Sequence, residues 1–196
     1  MTLIENKSAL RKRLIAARDA SSAATHEQAA QCILRKVTDD AAFQAARSVL
    51  AYHSFGSELN TRPFLETTLA AGKILVLPRV EKTSNTLMLY RVADLDLDLE
   101  PGKWSILQPR LDVTRQVEID SVDFVLVPGV GFDAQCRRLG YGAGFYDRLF
   151  GACANRLQRR VAGAFDCQMV DAVPVGESDV PVDGVLTETR EYQRES

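Results

Sequence analysis

Near the N-terminus the apolar positions recur every three to four residues; past residue 46 this spacing gives way to short continuous apolar runs. Residues 5–20 predict a helix with Leu10, Leu14 and Ala17 on one face and Lys7, Arg11, Arg13 and Arg18 on the rest. Residues 26–37 predict a second helix, with Ala29, Ile33 and Val37 recurring on one side. Residues 47–54 (RSVLAYHS) then read as a buried strand. A helix over 61–71 follows, with Thr61 or Asn60 as its cap and Gly72 as its stop. Residues 73–80 (KILVLPRV) predict a second strand, ending at Pro78, and the alternating 86–92 a third. Residues 122–127 (VDFVLV) form the most hydrophobic strand, 145–154 a further helix, and 160–165 and 184–187 two more short strands. Strands alternating with helices predict an α/β fold whose largely parallel sheet is covered on its faces.

Residues 94–100 (DLDLDLE) alternate leucine with acid. A calcium loop requires a glycine turn and a terminal glutamate at fixed spacing, so this run is expected to be a solvated edge segment. With neither internal repeats nor a low-complexity linker, the 196 residues predict a single domain over 1–196.

Charge narrows the function classes. Lys and Arg total 24 against 26 Asp and Glu, a formal net charge of −2. That balance gives no footprint for nonspecific binding to nucleic acid or a membrane surface. No run approaches the ~18 apolar residues of a membrane span. The basic first twenty residues include Glu5 and Asp19, which a transit peptide avoids, so a cytoplasmic chain is expected. Cys32, Cys136, Cys153 and Cys167 form no CxxC pair and have no histidine at finger spacing; all four are expected as reduced thiols.

The chemistry concentrates in residues 123–148, DFVLVPGVGFDAQCRRLGYGAGFYDR. Between a buried strand and a helix, Gly140, Gly142 and Gly144 occupy alternate positions. Glycines let a backbone turn its N–H groups inward, and successive N–H groups form a concavity for anions. A helix start just beyond adds its positive end. Arg138 and Arg148 bracket the loop with forks suited to phosphate oxygens, and Asp147 offers a hard oxygen for magnesium. A dinucleotide fingerprint requires G-x-G-x-x-G directly after a strand, and a Walker A loop requires Ser or Thr after Gly-Lys, where Ile74 follows Gly72-Lys73. Three glycines alone would describe a turn that merely reverses the chain. Two arginines, an aspartate and the aromatic Tyr141, Phe145 and Tyr146 beside them favour a nucleotide site.

RLGYGAGFYDR, preceded by VPGVGFD, resembles the signature of the 5-formyltetrahydrofolate cyclo-ligase (methenyltetrahydrofolate synthetase) family. Further segments match in order: KSALR at 7–11, YHSFGSELNT at 52–61, LPRV at 77–80, Ala164-Phe165-Asp166 with Gln168, Val173-Pro174, and 179–187. The resemblance implies an α/β, three-layer, mostly parallel sheet flanked by helices, of the NagB/RpiA/CoA transferase-like kind. It implies ATP binding by Lys7, Ser8, Ala9, Leu10, Arg11, Arg138, Leu139, Gly140, Tyr141, Gly142, Ala143, Gly144, Phe145 and Tyr146. Folate would meet His53, Glu58, Tyr141, Gly142, Ala143, Gly144 and Phe145, with Glu58 on the polar pterin edge. Asp147 and Asp179 would hold Mg2+, and Arg138 and Asp147 would be the catalytic pair. Read from the residues alone, Lys7 and Arg11 share a helix face but equally suit a solvated basic face, and Glu177, Asp179 and Asp183 are interchangeable carboxylates.

Several positions depart from the family pattern. Ala143 stands where many relatives carry Gly, Lys or Arg, and Phe145 replaces a tyrosine. In the run 104–109, Ser105 and Gln108 replace a glycine and a glutamate, and Cys136-Arg137 replaces a Gly-Asn turn.

The implied partners are 5-formyltetrahydrofolate and ATP, with no nucleic acid and no membrane, in a monomer or weak homodimer. The implied reaction activates the formyl oxygen by phosphoryl transfer before a second folate nitrogen attacks. The nucleophile comes from the substrate, which fits a chain with two histidines, no recognisable Ser-His-Asp or Cys-His set and no base beside Cys136. The alternatives are an ATP-dependent enzyme with another substrate on the same scaffold, and a noncatalytic folate- or RNA-binding protein. An RNA binder would show salt-dependent affinity.

Overall fold

The computed structural model describes residues 2–81, 83–102, 106–153 and 158–195. Two long helices open the chain. In α1 (Leu3–Asp19) the Thr2 hydroxyl accepts from the Glu5 N–H while the Glu5 carboxylate accepts from the Thr2 N–H at 2.7 Å. This reciprocal cap starts the helix earlier than its apolar spacing predicts. Ser22 likewise caps α2 (Ala23–Asp39), moving its start ahead of His26. The short α3 (Ala41–Ala45), capped by Asp40, was not foreseen.

The strands that follow are β1 (Ser48–Leu50), β2 (Ile74–Glu81), β3 (Thr86–Val92), β6 (Arg115–Val117), β7 (Phe124–Leu126), β10 (Arg159–Gly163), β11 (Gly184–Leu186) and β12 (Glu191–Gln193). They form one sheet in the order β12-β11-β10-β7-β1-β2-β3-β6. The five central strands β11, β10, β7, β1 and β2 run parallel, and antiparallel β12, β3 and β6 close the edges. The mostly parallel expectation therefore holds for the centre.

Alternation along the strands explains the layers. Val49, Ala51, Leu75, Leu77, Phe124, Leu126 and Val161 face one side, where α2, α3 and α4 (Arg62–Ala70) cover them with Ile33, Val37, Phe43, Phe64 and Leu65. Leu50, Val76, Val125, Val127, Ala162 and Val185 face the other. There Phe150 of α5 (Phe145–Gly151) and Phe132 and Cys136 of the β8–β9 hairpin (Gly131–Phe132 and Arg138–Leu139) cover them. Each fully buried Leu, Ile, Val or Phe contributes ~1.5–3 kcal/mol, so both faces must be covered.

Some expectations are corrected. β2 does not end at Pro78 but runs on to Glu81. β1 stops at Leu50, opposite Val76, so at Pro78 the strand has a ladder on one side only, where a residue lacking N–H is tolerated. β1 itself is shorter than 47–54. Residues 94–100 are not a plain solvated edge. Asp98 accepts from the Ala93 and Asp94 N–H groups, Leu95 and Leu99 are buried, and β4 (Leu99–Pro101) pairs with β5 (Leu107–Pro109). At α4 the Asn60 carboxamide accepts from Arg62 N–H, whereas the Thr61 hydroxyl donates to Tyr52 O. Gly72, at φ 72°, ends that helix as expected. The predicted end of α5 at Ala154, and Trp104 and Ser105, lie outside the described residues.

Cys136 is fully buried at φ 58°, the left-handed region that favours glycine. Burial also pushes its thiol up, away from the reactive thiolate. Cys136→Gly should therefore lose less stability than Cys136→Ala, by ~0.5–1 kcal/mol, because alanine keeps the strained Cβ while both lose the sulfur. Urea unfolding of the two variants checks this.

Candidate functional site

The sheet places the site before any side chain does. From β1 the chain proceeds to β2 on one side, then returns to β7 on the other, so strand order reverses between β1 and β7. In open α/β sheets ligands bind at the carboxyl ends of strands at such a reversal. Residues 51–61 follow β1 there, and Pro128 and Gly129 follow β7. Gln168, beyond β10, donates to the carbonyls of Gly129 and Val130 at 3.0 and 3.1 Å and fixes that corner.

The glycine loop lies over this corner. Its N–H groups from Tyr141 to Gly144 donate to no group among the described residues. Each glycine is pressed against a different arginine. A Cβ at Gly140 would stand 3.0 Å from Arg138, one at Gly142 3.3 Å from Arg11, and one at Gly144 3.0 Å from Arg148. Gly142 and Gly144 also adopt φ 106° and 66°, so a side chain at either is strained by conformation, and the arginine beside it would have to give by a few tenths of an ångström. Arg11 Nε donates to Gly140 O at 2.7 Å, which brings α1 onto the loop. Arg148 stacks over Phe145 and donates to Asn85 O at 2.6 Å, tying the loop to the β2–β3 hairpin.

Charges alternate beside the loop. Arg138 donates to Asp147 Oδ1 at 2.7 Å, and the same oxygen accepts from Val180 N–H at 3.2 Å. Lys7 pairs with Asp179 Oδ2, which also accepts from Gly176 N–H at 2.6 Å. Burial opposes the Asp179 charge, but Lys7, the Gly176 N–H and Arg138 outweigh it and hold the carboxyl below its ordinary value. Residues far apart in sequence thus meet: Lys7 from α1, Arg138 from β9, Asp147 from α5 and Asp179 from the C-terminal segment. Arg138 is 7% exposed and lies over the ring of Tyr146; among the described residues neither its Nε nor the buried Tyr146 hydroxyl has a hydrogen-bond partner.

Glu58 meets the loop through Tyr141. It is 8% exposed, accepts from Tyr141 OH at 2.6 Å and from Phe55 N–H at 3.0 Å. Burial raises its pKa; the Tyr141 hydroxyl, the Phe55 N–H and Arg18 counter this only in part. Burial and the Glu58 charge also push the Tyr141 hydroxyl far up, so it stays a donor.

Other expected residues are placed differently. Ser8, Ala9 and Ala143 are exposed. Leu10 and Leu139 belong to a small core with Leu14, Val130 and Val173, so only their backbone is available to a ligand. His53 is half-buried, its Nδ1 3.1 Å from Ser54 O, and burial lowers its pKa. Gln108 lies against Arg79, 3.2 Å from its guanidinium, while Arg79 pairs with Glu100, the residue opposite Gln108 across the β4–β5 ladder. Arg18 escaped the sequence reading. It is buried at 4% exposure, whereas Ala17, expected on the inner face, is exposed. The signal was its spacing: Lys7, Arg11, Leu14 and Arg18 repeat at four, three and four residues and share a face.

Among the described residues no group of three or more His, Cys, Asp or Glu could hold a metal unaided. Asp147 and Asp179 each keep one oxygen without a hydrogen bond among the described residues; magnesium takes one or two carboxylates and completes its shell with water and substrate phosphates.

Fold and site define a class: an α/β protein whose glycine loop, with its open N–H groups, lies at a strand-order reversal, with cations and carboxylates from four elements around it. The 5-formyltetrahydrofolate cyclo-ligase family model matches residues 3–188, and the chain belongs to that family. It is 33% identical to the 5-formyltetrahydrofolate cyclo-ligase of Escherichia coli K12 over 76% of this chain and 81% of the relative. It is 29% identical to the mouse enzyme of the same name over 80% of each chain. The solution structure of Aquifex aeolicus 5,10-methenyltetrahydrofolate synthetase superposes with a TM-score of 0.84 at 30% identity, covering 97% of this chain and 93% of that one. A Mycoplasma pneumoniae synthetase structure shares the fold, with a TM-score of 0.75 at 23% identity over 93% and 98% of the two chains. No described helix is long and apolar enough to cross a membrane.

Proposed function

We propose that the chain cyclises 5-formyltetrahydrofolate to 5,10-methenyltetrahydrofolate, consuming ATP and releasing ADP and phosphate. The observation that carries this is the meeting of Lys7, Arg138, Asp147 and Asp179 beside the glycine loop, with Glu58 held by Tyr141 of the same loop. A triphosphate on the charged cluster and a polar ring edge on Glu58 would then share one backbone turn.

The formyl group is an amide, and its oxygen leaves poorly. Transfer of the γ-phosphoryl group to that oxygen gives an imidate-like phosphate. The second folate nitrogen attacks the same carbon, loses its proton, and phosphate departs with the former formyl oxygen. Arg138, Lys7 and Arg11 spread over the phosphates neutralise the charge that develops, and the free N–H groups at 141–144 orient the chain of phosphates. Asp147 and Asp179 would hold Mg2+, which shields the phosphate oxygens when bound. Glu58 takes the pterin edge, with the Tyr141 ring against Phe55, centroids 5.3 Å apart, forming part of the wall. His53 belongs to the same segment as Glu58 and Phe55. A net charge of −2 supports a protein with no nucleic-acid or membrane partner; the rest of the reading is a cytoplasmic, single-domain enzyme, monomer or weak homodimer.

Mixing the protein with 5-formyltetrahydrofolate and Mg-ATP should produce the methenyl chromophore and stoichiometric phosphate. Folate binding without ATP consumption, or ATP turnover only with another formyl or carboxylate substrate, would refute the assignment.

A further inference from the structure

Arg18 is a buried guanidinium with no direct ion pair among the described residues. Its Nε donates to Ser57 Oγ at 2.9 Å and a terminal nitrogen to Tyr141 Oη at 3.2 Å. Each hydroxyl then donates to a carboxylate: Ser57 to Asp19, and Tyr141 to Glu58 Oε1 at 2.6 Å. A cation serving only to neutralise buried charge would contact Glu58 itself. Here a hydroxyl intervenes. An ionised carboxylate has about four acceptor sites. Glu58 spends one on Tyr141 and one on Phe55 N–H, which leaves one on each oxygen for a ligand.

Resting on the reading of Glu58 as the pterin's partner, we infer that Arg18 is a positioning residue for folate. From α1 it clamps Ser57 and the Tyr141 hydroxyl, so that Glu58 presents two free acceptor sites to the paired N–H donors of a pterin edge. Only the carboxylate can receive both donors; the acid would oppose one with its own O–H. The groups facing Glu58 are Arg18, Tyr52, Tyr141, Tyr146 and the Phe55 N–H, with Asp19 behind Ser57. Among these side chains Arg18 is the cation. Its removal moves Glu58 protonation to higher pH, and folate recognition fails from the acid side upward. The same clamp joins α1 to the glycine loop, so the helix that supplies Lys7 and Arg11 also sets the folate wall.

The test is steady-state kinetics of Arg18→Gln, Arg18→Lys and Glu58→Gln across pH, with thermal unfolding alongside. Arg18→Gln should raise KM for 5-formyltetrahydrofolate by about ten- to hundredfold, the usual effect of losing a hydrogen bond to a charged group. It should leave KM for ATP within about twofold and move the acid limb of the folate kcat/KM profile upward. Arg18→Lys keeps the charge and loses the fork: KM for folate should rise with the acid limb held near that of the unaltered chain. An unmoved acid limb in folded Arg18→Gln, or an unchanged folate KM in Arg18→Lys, overturns the inference. Glu58→Gln separates the two readings. If it leaves the folate KM intact, the assignment of Glu58 fails; if it raises that KM while the Arg18 variants behave as the unaltered chain, only the role of Arg18 fails.

Discussion

Arg138→Ala is expected to lower turnover on the order of a hundred- to a thousandfold while the chain still folds. The argument rests on position. Arg138 enters from the β8–β9 hairpin, 7% exposed, with one terminal nitrogen on Asp147 and the other 3.4 Å from Pro128 O. Its Nε is held out of water without a partner. A buried donor left open is disfavoured unless something completes it, and a phosphate oxygen would. Folding should survive because Leu139, Phe132 and Val130, which anchor the hairpin, are untouched. Asp147→Ala should lower turnover comparably, since it removes both the counter-charge of Arg138 and a carboxylate for the metal. Because the two residues act as one unit, the double variant should be far less than the product of the single effects. Single-turnover phosphate release with Mg-ATP would check this, and near-normal turnover in either single variant would sink the placement of the triphosphate.

Glu58→Gln should raise the KM for 5-formyltetrahydrofolate by a hundredfold or so, the outcome of replacing a charged acceptor with a neutral one. Its second consequence runs the other way. The Glu58 pKa in the folded chain lies above its ordinary value of 4.5, with burial as the main cause. A group raised on folding contributes stability that is full below the unfolded value and lost as pH rises through the folded one. At pH 8 the charged Glu58 is therefore a liability to folding, and Glu58→Gln should melt no lower than the unaltered chain there. At pH 4 that advantage should vanish. Thermal unfolding at both values tests the sign. Loss of folate affinity together with retained or raised stability is what a binding residue held at the expense of the fold produces.

Local chemistry made the loop legible. Gly140, Gly142 and Gly144 with Arg138, Arg148 and Asp147 lie within eleven residues, and the physics of an anion site needs little else. The central strands were legible because a parallel sheet covered on both faces demands unbroken apolar runs, as in FVL of β7. What stayed hidden depends on partners distant in sequence. β12 is a polar triplet made a strand by pairing with β11, and β8 and β9 are two residues each. The burial of Arg18 was invisible because its charge argued for water, and the two hydroxyls that receive it stand 39 and 123 residues away. Pro78 misled for a related reason: a proline ends a strand only where both flanks are laddered.

The pairing of Lys7 with Asp179 spans 172 positions of the chain. A ribosome must therefore have released almost the whole polypeptide before this pair can form. Until then the amino-terminal helix lacks the anchor that sets its lysine, and a partly made chain carries the loop without the power to use it. Contacts of such long range form late. Activity that depends on this pair is thus expected only from chains that reach past residue 179.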